Sequence, residues 1–196
     1  MVSNRRIGAE DSKSRAALLD ATERIMLEEG YAAVSSRRVA ERAELKPQLV
    51  HYYFRTMDDL FLAAFRRRAE VGLEHLSRAL ASDRPLLALW AFGDDATSTA
   101  LNMEFVALAN HRKSIRSEIA RYAEDFRARQ TEVLARVMEE RGIDTERFPP
   151  IALMTVMTSV AQILVLEESL GIDAGHAETR DLVRRLLDGP VPGAES

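Results

Sequence analysis

Apolar residues along this chain recur every three or four positions, and no stretch sustains the every-other-residue alternation of a half-buried strand. That periodicity restricts the chain to helices packed on helices. Gly and Pro fall between the periodic segments. Pro47, Pro85 and Pro149–Pro150 stand where helices would begin, with φ already fixed and no N–H to lose. Gly30, Gly142, Gly171 and Gly189 stand where helices would end in a left-handed cap. The spacing predicts an all-α chain of about nine helices, over 12–29, 36–43, 47–53, 57–81, 85–93, 96–111, 114–141, 149–170 and 175–188. Gly93-Asp94-Asp95 offers a break, so 85–111 reads either as two helices or as one kinked helix. The segment 57–81 carries the stripe Phe61, Phe65, Ala69, Leu73, Leu76 and Leu80, and Thr56 with Asp59 is placed to close a capping box at its start. The segment 114–141 carries Ile115, Ile119, Tyr122, Phe126, Val133 and Val137 on one side.

Composition narrows the function classes. With 46% apolar and 30% charged residues, the chain is too apolar for disorder and too charged for a polytopic membrane protein. It has no Cys, which removes disulfides, thiol catalysis and Cys-ligated zinc or iron–sulfur sites and fits a reducing compartment. Met1 to Ser12 is polar, without the apolar core of a secretory signal, so a cytoplasmic protein is expected. The net charge of −4 argues against a polyanion partner until it is divided. Residues 1–56 carry ten basic and eight acidic side chains, whereas the remainder carries 17 and 23. Between Ser35 and Thr56, Arg37, Arg38, Arg42, Lys46 and Arg55 face only Glu41 and Glu44. A basic head on an acidic body turns one end of a molecule toward nucleic acid.

Two helices of two turns each, at 36–43 and 47–53, are marginal alone. They make sense if the first helix supplies a core, with Leu18, Ala21, Ile25 and Met26 against Val39, Ala40, Ala43, Leu49 and Phe54. Three helices with a tight turn before the last form a helix-turn-helix, whose last helix can enter a major groove. Ser35 and Ser36 are placed to cap the second helix, whose amide end can then hold a phosphate. Arg37 and Arg38 in its first turn oppose the dipole unless an anion sits there. Lys46 and Gln48 open the third helix, where side chains reach base edges, and Gln48 can pair bidentately with adenine. His51 and Tyr52 offer polar tips to the phosphates, and Arg55 with the amide end at Thr56 can fix another. Phe54 reads as core and Tyr52 as outward-facing.

The stretch Gly30-Tyr31 … Val34-Ser35-Ser36-Arg37-Arg38-Val39-Ala40 … Ala43 … Val50-His51-Tyr52-Tyr53-Phe54-Arg55-Thr56-Met57-Asp58-Asp59-Leu60-Phe61 resembles the DNA-binding domain of the TetR family of transcriptional regulators. By motif the resemblance covers about 12–62; beyond that it rests on length and helical organisation. It implies a DNA-binding domain over 1–56 and a ligand-binding and dimerisation domain over 57–196. Four positions depart from the family pattern. Glu44 stands where the turn usually has Gly, His51 where a phosphate-contacting Tyr is common, Met57 where Lys is frequent, and Ser36 where the family is usually apolar. Glu44 predicts an unusual turn, or one without a left-handed residue. Tyr52, Tyr53 and Arg55 can compensate for the two lost phosphate contacts.

The run 148–166 has nineteen residues without a charge, long enough to span a bilayer. It opens with Pro149-Pro150, and Thr155, Thr158, Ser159 and Gln162 make one polar stripe on it, so a helix buried between neighbours is expected and no membrane. With Leu182, Val183, Leu186 and Leu187 of the next helix it can form a four-helix homodimer interface, which agrees with what the resemblance implies. The resemblance further implies a small-molecule effector inside the body. Trp90, Asn102, Met103, Phe105 and Tyr122 are candidates to line its pocket, with Phe126, Met154, Met157 and Gln162. Helical spacing of Met and aromatics serves a plain core equally well.

An enzyme is not indicated. His51, His75, His111 and His176 fall in no metal-binding spacing, and there is no nucleophile elbow, phosphate-binding loop or dinucleotide fingerprint, so no cofactor or metal is expected. Taken with the resemblance, the sequence implies a homodimeric repressor that holds a double-stranded operator and leaves it when a small, largely apolar molecule binds. The alternative is a helical ligand- or partner-binding protein whose front domain no longer reads DNA.

Overall fold

The computed structural model describes residues 12–188, and among them the chain is all-helical. Its helices are α1 (Lys13–Glu29), α2 (Ser36–Arg42), α3 (Pro47–Tyr53), α4 (Met57–Leu80), α5 (Pro85–Gly93), α6 (Ala96–His111), α7 (Lys113–Glu140), α8 (Pro150–Ser169) and α9 (His176–Asp188). A single 3-10 turn at Tyr31–Ala33 joins α1 to α2, an element that three residues are too few to announce by periodicity. Gly93–Asp95 does break 85–111 into two helices. Gly189 and the side chain of Leu80 lie outside what is described.

The chain packs as two units. Among the described residues, the first comprises 12–70 together with Leu101–Tyr122, and the second Val71–Ala100 with 123–188. The first core gathers Leu18, Ala21, Ile25 and Met26 of α1, Val39 and Ala40 of α2, and Val50 and Phe54 around α3, with Leu60, Phe61, Phe105, Leu108 and Ile115. From α3 it is Val50 that is fully buried, whereas Leu49 stays half-buried, because Val50 lies one helical turn before Phe54 on the inward side. The packed front unit thus extends past 56, the start of α4, and takes in the C-terminal part of α6 and the N-terminal part of α7.

The second core joins Leu76, Leu86, Leu89, Trp90, Leu134 and Met138 to Met154, Met157, Ala161 and Leu164 of α8. The expectation that α8 is buried between neighbours holds on one side only: Ile151, Val156 and Ile163 are 47%, 59% and 46% exposed. Two residues of the polar stripe bond within α8: the Thr155 hydroxyl donates to the Ile151 carbonyl at 2.8 Å and that of Thr158 to the Met154 sulfur at 3.7 Å. By length and composition alone α8 is long and apolar enough to cross a membrane, a test that the core helix of a soluble protein also passes.

Candidate nucleic-acid interface

The front unit fixes α3 by one face and leaves the other free. Val50 and Phe54 are 1% and 3% exposed, whereas Lys46, Gln48, His51 and Tyr52 are all exposed. Gln48, His51 and Tyr52 stand at i, i+3 and i+4, which puts them on one side of a helix. Pro47 opens α3 at its first turn, and Lys46 occupies the N-cap. Arg15 of α1 lies over the Phe54 ring, 5.5 Å from its centroid.

The turn into α3 resolves the anomaly at Glu44. Its φ is 55°, so the left-handed conformation is kept by a residue that carries a Cβ. The Leu45 N–H bonds the Ala40 carbonyl at 2.9 Å and the Glu44 N–H bonds the Glu41 carbonyl at 3.1 Å. That pair of bonds is a Schellman cap, and Leu45 packs against the first core beneath it. The same pair closes α7 at Gly142. The turn therefore has the geometry expected of a Gly, with Glu in place. On the far side of α3, Thr56 and Asp59 exchange side-chain and backbone hydrogen bonds, each 3.0 Å, and make the expected capping box.

The basic residues of α2 are not equivalent. Ser35 caps the helix, its hydroxyl accepting from the Arg38 N–H at 3.4 Å. Arg37 is exposed and has no ion pair among the described residues. Arg38 reaches back to α1, where its Nη2 bonds both carboxylate oxygens of Glu29 and its Nη1 donates to the Ala33 carbonyl at 3.3 Å. The hydrogen bond from Arg38 holds the Glu29 carboxyl below its ordinary pKa, and the same contact raises that of Arg38. Arg42 pairs with Glu28. Arg55 and Thr56 are exposed beyond α3. The sequence counts Arg42 in the basic head but does not single out Glu28 or Glu29 as part of the site. The signal was there, in two acidic residues at the end of a helix, where the dipole disfavours them.

Other contacts frame the helix-turn-helix. The Glu104 carboxylate of α6 accepts the Tyr31 N–H at 2.6 Å. It sits 3.5 Å from where a Cβ on Gly30 would be, and Gly30 has a φ of 83°. The Tyr31 ring stacks on His111 at 6.0 Å. At the start of α4, Asp58 accepts from Ser114 at 2.6 Å and from Arg112, contacts that hold its pKa low, the Ser114 bond most of all.

The candidates for an effector pocket separate between the two units. Phe105 is buried in the first, and Tyr122 is half-buried there; their rings lie edge-on to Phe65 at 5.2 and 5.7 Å. Asn102 is exposed and Met103 half-buried. Trp90, Met154 and Met157 belong to the second core, with Phe126 against it and 5.9 Å from Phe92. Gln162 is exposed on α8. A cleft of about 600 Å³ in the second unit is lined by none of them; Ser77, Ser82, Val133, Arg136, Val137 and Arg141 are among its walls. At the α8–α9 corner, Arg180 binds Asp94 at 2.9 Å and Glu168 at 2.5 Å. His176, 4% exposed, bonds Glu167 at 2.8 Å, which raises its pKa.

Residues 18–64 match the family model for bacterial regulatory proteins of the tetR family. No curated relative matches the sequence at a significant level. Among solved structures, the chain is 19% identical to a TetR transcription regulator from Haloarcula marismortui, with a TM-score of 0.71, covering 89% of this chain and 96% of the other. It is 16% identical to a protein from Saccharomonospora viridis solved in complex with choline, with a TM-score of 0.74 and coverage of 89% and 95%. The multidrug binding protein EbrR, complexed with imidazole, is 25% identical, with a TM-score of 0.61 and coverage of 93% and 99%.

Proposed function

We propose that this chain, whose residues 18–64 match the model of the tetR family of bacterial regulatory proteins, is a DNA-binding regulator of that kind, a repressor that leaves its operator when a small molecule binds its body. The observation that carries the reading is the two-sidedness of α3. Its apolar edge is locked in the first core by Val50 and Phe54, so its polar edge is held rigidly outward. In this reading Gln48, with Lys46 and His51, discriminates bases. Arg37, Arg38, Tyr52, Arg55, Ser35 and Thr56 hold the phosphates, which supply most of the affinity and its salt dependence.

Two copies are needed for a two-fold operator, with half-sites about 34–36 Å apart or a multiple of that. The outward face of α8, with Leu182 and Leu186 of α9 at 50% and 57% exposure, supports a homodimer through these helices. The effector is a small, largely apolar molecule seated among Trp90, Phe126, Met154 and Met157 of the second unit. The choline and imidazole held by two similar proteins support a small-molecule role. Such a ligand releases DNA only if it binds the non-operator conformation more tightly; occupancy alone moves nothing.

The test compares duplexes from the DNA flanking the coding sequence with random-sequence duplex, by fluorescence anisotropy. Gln48→Ala is expected to lower the ratio of the two affinities by about 1–3 kcal/mol. Tyr52→Ala is expected to weaken both alike. Equal loss of the ratio in both variants contradicts the roles given to α3. A wild-type chain that binds neither duplex belongs instead to the ligand- or partner-binding class.

A further inference from the structure

We propose that Glu28 and Glu29, at the end of α1, are internal stand-ins for DNA phosphates: they hold Arg42 and Arg38 in the free protein, yield them to the backbone of bound duplex, and by that exchange suppress binding to DNA of arbitrary sequence. The proposal rests on the DNA-binding reading above and concerns how the same surface is regulated.

The positions of the four charges carry the argument. Glu28 and Glu29 close α1, where the helix dipole is negative, and Arg38 lies in the first turn of α2, where it is positive. These three are unfavourable on their own helices, whereas Arg42, in the last turn of α2, is not. Together they offset one another, so the anion that Arg38 needs at the start of α2 is already supplied from within the chain. The contact leaves room for exchange. Nη2 of Arg38 takes both oxygens of Glu29 and Nη1 takes the Ala33 carbonyl, while Nε has no hydrogen bond to the pair. That leaves a donor direction open to an incoming phosphate.

Exposure decides whether the exchange is feasible. The side chains of Arg38 and Glu29 are 43% and 42% exposed, and those of Arg42 and Glu28 are 38% and 54% exposed. Ion pairs in that setting contribute little and are screened by salt, so a phosphate can displace the carboxylate. Arg37, beside them on α2, has no ion pair among the described residues and stays ready for phosphate in either state. Duplex that takes Arg38 and Arg42 must leave two carboxylates close to its own backbone. Base contacts from α3 offset that repulsion at an operator, and random sequence lacks them.

The experiment measures affinity for random-sequence duplex against salt concentration, with thermal unfolding alongside. Glu29→Gln is expected to steepen the slope of log affinity on log salt by about 0.9, which is about an eightfold gain at 0.1 M salt for curves that meet near 1 M. Mere removal of a negative charge is separated by a cycle. The Glu29→Gln gain must vanish in an Arg38→Gln background, whereas the gain from Glu44→Gln, an exposed carboxylate in the turn, must persist there. An unchanged slope overturns the proposal, as does a Glu29→Gln gain that survives without Arg38. A Glu29→Gln chain that fails to fold marks the pair as a structural strut and overturns the exchange at Arg38; Glu28→Gln with Arg42→Gln then reads the second pair by the same criteria. Wild-type protein that binds no DNA even at low salt defeats the DNA-binding reading itself, and this proposal with it.

Discussion

Replacing Glu44 by Gly should stabilise the protein, although it deletes a side chain. A residue with a Cβ held in the left-handed region costs about 1–2 kcal/mol. Glu44 is held there, at φ 55°, by the two cap hydrogen bonds and by Leu45 packed beneath the turn. Glycine removes that strain but gains more freedom in the unfolded chain, an opposing effect of about 0.5–1 kcal/mol. The difference is a net gain of about 0.5–1 kcal/mol, which for a chain of 196 residues raises Tm by about 1–3 °C. Scanning calorimetry at fixed protein concentration would read it. Glu44→Gln keeps the strain and drops the charge, so it should stay within about 0.5 kcal/mol of wild type. Glu44→Asn, which tolerates the left-handed region better, should fall between them. Both the Gly and Gln variants should gain equally on random DNA, because both remove the same carboxylate. A Gly variant no more stable than the Gln variant would refute the claim that the turn stores backbone strain.

Other consequences are equally direct. Thr56→Ala removes the hydroxyl half of the capping box and should cost about 1 kcal/mol, read by denaturant unfolding. The folded pKa of His176 is raised, first by its bond to Glu167, so its contribution is fully present below the unfolded value near 6.5 and is lost as pH rises through the folded value. Wild-type Tm should therefore fall across that interval, and His176→Gln should flatten the fall. Val156→Asp, on the exposed face of α8, should leave the helix content intact and turn a dimer into a monomer in sedimentation velocity. A single-species monomer in both proteins would remove the dimer reading.

Much of the architecture was legible because it rests on local chemistry. Pro47, Pro85 and Pro150 mark helix starts through fixed φ, and the capping box at Thr56 follows from two side chains three residues apart. The outward set on α3 was readable from Phe54, although the sequence put Leu49 beside it in the core where the structure buries Val50. What escaped depends on residues distant in sequence. Glu104 meets Tyr31 across 73 positions, and Asp58 meets Ser114 across 56. No periodicity encodes such pairs, so the front unit reads as ending at 56 although its packing includes parts of α6 and α7. The turn at Glu44 was missed for another reason. Side-chain type predicts the left-handed region only statistically, and here the hydrogen bonds and the packing of the half-buried Leu45 override the preference.

The corner where Arg180 gathers Asp94 and Glu168 ties the ends of α5 and α8 to the first turns of α9 through a single guanidinium. Joints of that sort behave unlike greasy ones. Cooling weakens apolar packing and leaves ionic contacts comparatively intact, whereas concentrated chloride does the reverse. The second unit therefore has a seam that answers to brine more than to frost. Take the arginine away and His176 is the cation left beside Glu167 and Glu168, so the variant's hold on this corner should slacken as pH rises through that raised pKa.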